Sequence, residues 1–94
     1  MLFCLTVPNI SYPHAYTVGA QVLEALQRPG EAVDRIADML DEPNLKLEEP
    51  DHYDKIVEAM QLVARCCKDP TRVATIRNTA MALFPHIASR IGKP

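Results

Sequence analysis

The sequence predicts an all-α fold: a small four-helix bundle with a kinked C-terminal helix and an extended N-terminal arm. Three observations predict it. Between Asp51 and Ile91, two stretches repeat apolar residues at helical spacing. Tyr53, Ile56, Val57, Met60, Val63, Ala64 and Cys67 form one stripe, and Val73, Ile76, Ala80, Leu83, Ile87 and Ile91 form the other. Prolines and acidic residues stand where helices of this pattern would begin. Aromatic residues make up only 5% of the chain and tryptophan is absent, so the core is aliphatic, as in many bundles.

The 94 residues suit one domain, with residues 1–12 as the arm and 13–94 as the bundle. A chain of this size buries about 60–70% of its unfolded surface, enough for one modest core. In the arm, Leu2, Phe3, Leu5 and Val7 favour an extended chain, and Pro8-Asn9 ends it. A lone strand cannot form a sheet within one chain, so the arm packs on the helices or pairs with another copy.

The first helix starts near Pro13 and ends before Arg28-Pro29-Gly30. Ala15, Val18, Val22, Ala25 and Leu26 make an apolar face, widened by Leu23, that is expected to face the core. Gly19 costs about 1 kcal/mol relative to alanine, which points to a tight helix crossing there. The second helix covers Gly30 to Asp41, with Val33, Ile36, Ala37 and Leu40 inward and Pro43 preventing its continuation. Glu42 to Pro50 is irregular, and Leu45 and Leu47 are placed to fasten it to the core.

The third helix runs from about Asp51 to Lys68, opened by Pro50 or Asp51, with the Asp51 side chain placed to cap it. Asp69 caps the fourth, and Pro70 takes its first position. Pro85 removes one backbone donor and crowds the preceding turn, so a kink is expected there, with helix resuming through His86–Ile91 and ending at Gly92.

Charge is segregated along the chain. Residues 31–54 hold nine acids against two bases, residues 55–94 seven bases against two acids, and the net charge is −2. Such asymmetry either steers partners of opposite sign or is neutralised between helices, and the second outcome is the simpler. Cys4, Cys66 and Cys67 are odd in number and include an adjacent pair, which does not make a disulfide framework. Reduced thiols and a cytoplasmic location follow as the expectation, with Cys67 as a small core residue. No stretch approaches 18 apolar residues, and Met1–Val7 has no basic leader.

No chemistry is written in the pattern. Three isolated glycines make no phosphate loop, and Ser11 and Ser89 sit in no nucleophile motif. His14, His52 and His86 have no ligand partner at metal-finger spacing. Neither catalysis, nor a metal, nor a cofactor, nor a small-molecule substrate is expected.

The expected function is therefore protein–protein interaction: a small regulatory or inhibitor protein that binds a larger partner or self-associates, for example as a homodimer. Its candidate surfaces are the apolar arm (Leu2, Phe3, Leu5, Val7) and an acidic face (Asp34, Asp38, Asp41, Glu42). The alternative is a helix-turn-helix DNA-binding regulator, using Arg65, Lys68, Arg72 and Arg77 around the turn at Asp69. An isoelectric point near 5.8 opposes that alternative, because affinity for DNA comes mainly from basic charge.

Overall fold

The computed structural model describes residues 12–92. The arm residues Leu2, Phe3, Leu5 and Val7 lie outside them, as do Cys4 and Ser11. The described chain is all-α. Its helices are α1 (Pro13–Ala25), α2 (Pro29–Leu40), α3 (Pro50–Cys66), α4 (Pro70–Leu83) and α5 (Ala88–Gly92), with a 3-10 turn at Pro85–Ile87 between the last two.

A proline opens each of α1 to α4. The first turn of a helix has no acceptor for its own N–H groups, so a residue that lacks one loses nothing there. Asp69 caps α4 as expected, accepting the N–H of Thr71 at 3.0 Å and of Arg72 at 3.4 Å. Helix α3 opens at Pro50, one of the two expected positions, but Asp51 is not its cap. Pro50 occupies the first helical position, which makes Glu49 the cap residue and moves Asp51 inside the first turn. There the carboxylate still favours the positive end of the helix dipole. His52 Nδ1 instead accepts the backbone N–H groups of Glu48 at 2.9 Å and Glu49 at 3.2 Å.

The end of α1 is closed by backbone bonds. Gln27 adopts φ 65°, its N–H reaches Glu24 O at 3.0 Å, and the Arg28 N–H reaches Leu23 O at 2.9 Å. This is the paired bonding of a Schellman turn, with glutamine where glycine is usual. Gly30 then falls within α2, which begins at Pro29 rather than at Gly30.

At Pro85 the expected kink is a full break. Phe84 has φ −128° and ψ 67°, outside the helical region. The proline ring crowds the residue before it and disfavours helical geometry there. The chain passes through a single 3-10 turn before α5.

The core gathers around α3, where Ile56, Ala59 and Leu62 are fully buried and Met60 and Val63 nearly so. Ala59 and Leu62 lie off the stripe read from the sequence. They are buried because α3 is covered on more than one side, by α1, α2 and α4. Val33, Ile36 and Met39 come in from α2, and Ile76, Ala80, Phe84, Ile87 and Ile91 from the C-terminal part. Phe84 takes the inward place expected for Leu83, which is 51% exposed. Leu45 and Leu47 pack at the core edge as expected, and the Tyr53 hydroxyl donates to Leu47 O at 3.0 Å.

The largest departure is α1. Of the face expected inside, Ala15, Val18, Val22, Ala25 and Leu26 are exposed, and Leu23 alone packs on the core. The buried residues of the helix are Pro13, Thr17 and Ala20. Spacing identifies a face; it does not say which side of the helix the rest of the chain occupies.

Candidate functional site

Helix α1 buries Ala20 and packs Tyr16 and Leu23 on the core, and its polar residues occupy the adjoining side. Thr17, Gln21 and Glu24 stand at i, i+4 and i+7 and share one side of the helix. That side faces α3. The buried Thr17 hydroxyl donates to Lys55 O at 3.3 Å, Gln21 Nε2 to Glu58 Oε1 at 3.3 Å, and Arg65 makes two bonds of 2.9 Å to the Glu24 carboxylate. Positions rise together on both helices, so α1 and α3 run parallel across this polar seam. Among the described residues, no buried side-chain polar atom lacks a partner.

The Arg65 hydrogen bond, helped by one from Cys66, holds the Glu24 carboxyl below the ordinary glutamate value of 4.5, although partial burial opposes the shift. Cys66 Sγ lies 3.4 Å from Glu24. Burial, and then this hydrogen bond, push the Cys66 thiol up, so it remains a thiol. Cys66 and Cys67 are both half-buried, and Cys67 packs at the edge of the core rather than within it.

Glu24 should contribute stability that is fully present above 4.5 and lost as pH falls through its lower folded value. Glu24→Gln is therefore expected to be less stable than the parent at pH 7. The gap should close as acid protonates Glu24, as read by urea unfolding at stepped pH. A gap that stays constant into acid would refute the assignment.

With its polar side spent on α3, the helix presents Val18 at 47% exposure, Val22 at 52% and Leu26 at 58% to solvent, flanked by Ala15 and Ala25. These residues form a continuous apolar stripe. It contains no charged side chain, and the one carboxylate of α1 is held in the seam by Arg65. Comparison with protein-family models, curated proteins and solved structures finds no match.

The other candidate residues are dispersed. On the acidic face, Asp34 pairs with Arg72 at 2.8 Å, joining α2 to α4. Glu42 is half-buried and accepts the Tyr16 hydroxyl at 3.3 Å and the Asn44 N–H at 3.1 Å, so it is tied into the fold rather than displayed. Asp38 and Asp41 are exposed and make no ion pair among the described residues. Arg90 reaches Asp54 at 2.8 Å. Asp34 and Asp54, both acids of residues 31–54, thus pair with bases of residues 55–94 among the described residues.

Of the basic residues around the α3–α4 turn, Arg65 and Arg72 each hold a carboxylate, Lys68 is exposed, and Arg77 is half-buried in a cleft. The sequence does not pair the histidines, but the fold brings His14 and His52 together, with ring centres 5.6 Å apart beside Tyr12. Among the described residues, no group of His, Cys, Asp and Glu is arranged to hold a metal ion, and no helix is long and apolar enough to cross a membrane.

The sequence reading missed the polar seam. The signal was present in Thr17, Gln21 and Glu24, whose helical spacing is as regular as that of the apolar residues.

Proposed function

We propose that the chain is a small, non-catalytic interaction protein that self-associates through the outer face of α1. The observation that carries this reading is the uncharged stripe of Val18, Val22 and Leu26 on a helix whose polar side already faces α3. Water leaves a continuous apolar face of this kind unfavourably exposed, and such faces mark association surfaces. A second copy is the favoured occupant. A stripe without charge can meet itself across a two-fold axis without burying a like-charged pair, as an isologous interface requires. Small alanines beside the larger valines and leucine also suit close approach of two helices.

Light scattering over a dilution series tests this. The parent should weigh two chains at high concentration and one on dilution. Val22→Glu should weigh one chain throughout, with an unchanged helical circular dichroism spectrum, because it places charge in the centre of the stripe. A parent that remains single at its highest soluble concentration, or a Val22→Glu variant that still pairs, would reject self-association. The helix-turn-helix alternative has less support, because Arg65 and Arg72 already carry carboxylate partners and Lys68 and Arg77 alone give little phosphate affinity.

A further inference from the structure

A second feature, sharing no residue with the outer face of α1, is an open cleft of about 330 Å³ lined by residues of α3, α4 and α5. Its apolar lining comes from Val57, Met60 and Ile91, and its polar lining includes the guanidinium-bearing Arg65, Arg77 and Arg90. No acidic residue lines it among the described residues. Arg65 uses Nε and Nη2 on Glu24, and Arg90 uses Nη2 on Asp54, so both keep donors for another acceptor. Arg77 is half-buried and has no carboxylate partner among the described residues. A cation partly removed from water without a counter-ion carries an unrecovered desolvation cost, which an anion placed beside it reduces.

We propose that this cleft binds a small organic anion: one carboxylate or phosphate group on an apolar ring or short chain. The acid group meets Arg77 and the remaining donors of Arg65 and Arg90. The apolar body covers Met60, Val57 and Ile91. With two of the three arginines already balanced by Glu24 and Asp54, the site carries about one unmatched positive charge, which a single acid group neutralises. The cleft volume lies at the lower end of the roughly 300–1,000 Å³ of small-molecule sites, as suits a single-ring ligand.

Nitrogen–proton NMR titrations of the full chain test the proposal, with benzoate, phenyl phosphate and inorganic phosphate at fixed ionic strength. Benzoate and phenyl phosphate should give saturable shifts at Met60, Gln61, Ala64, Arg77 and Ile91. Inorganic phosphate, lacking the apolar body, should bind at least tenfold more weakly. Arg77→Met should weaken phenyl phosphate at least tenfold. If that variant does not fold, Gln61→Glu, at an exposed position on the rim, should weaken it several-fold by charge. Non-saturating shifts, equal binding of the two phosphates, or unchanged binding by whichever variants fold would overturn the proposal. Saturable shifts at the same residues with duplex DNA but with neither organic anion would also overturn it.

Discussion

Leu62→Ala is expected to lower the unfolding free energy by about 2–5 kcal/mol, whereas Val22→Ala should change it by no more than about 0.5 kcal/mol. Both are apolar residues on patterned helices, and the sequence reading assigns only Val22 to a core stripe. Leu62 has no exposed surface, and its removal leaves a cavity amid the packing of the central helix. Val22 has more than half its surface in water, so truncation removes little burial and slightly improves helix propensity. A domain of this size is held by about 5–15 kcal/mol in total, so the Leu62 variant loses a large fraction of its stability. At about 4–8 °C per kcal/mol, its midpoint should fall by roughly 10 °C or more. The comparison must be made at a dilution where light scattering gives single chains, because association through α1 would add an effect at Val22. Equal losses at the two positions would mean that Val22, not the polar seam, faces the bundle.

The second helix is legible in the sequence because Val33 and Ile36 recur inward while Glu31, Asp34 and Asp38 recur outward; each face confirms the other. Asp69-Pro70 located the start of α4 because an acceptor before a first-turn proline has a local mechanism that tertiary contacts need not supply. Helix α1 carried two regular faces, one apolar and one polar. Choosing the apolar one as buried follows the usual direction of the hydrophobic effect. The choice failed because Lys55, Glu58 and Arg65, about 40 residues downstream, supply partners for the polar face. Nothing local to α1 announces them. The break at Phe84 has a different cause: a lost donor and a crowded preceding turn predict only a kink, whereas the proline also drives the residue immediately before it out of the helical region. The basic cleft is likewise nonlocal, since it needs Arg65, Arg77 and Arg90 from three helices.

Ala20→Leu should cost about 1–3 kcal/mol or more, while Gly19→Ala, one residue away, should be neutral or stabilising by up to about 1 kcal/mol. The sequence reading placed the tight helix crossing at Gly19 because glycine in a helix is costly unless something close requires it. A methyl group at Gly19 would lie 2.9 Å from Arg35 Nε, so the near neighbour is a side chain and not the backbone of another helix. That side chain lies over the Tyr16 ring, with the guanidinium carbon 5.1 Å from its centre, and is free to shift outward because Arg35 is exposed. Ala20, in contrast, has no exposed surface, and α1 packs there against α2 and α3 together. Leucine adds three carbons where no space opens to water. It must push α1 away from both helices or adopt a strained rotamer, and lengthening the seam bonds from Thr17 and Gln21 would follow. Urea unfolding of the two variants at matched dilution separates these outcomes. If Gly19→Ala loses as much as Ala20→Leu, the helices meet at Gly19 and the crossing lies one residue earlier. If Ala20→Leu is tolerated without loss, α1 is not clamped between α2 and α3, and the outward exposure of Val18, Val22 and Leu26 loses its structural cause.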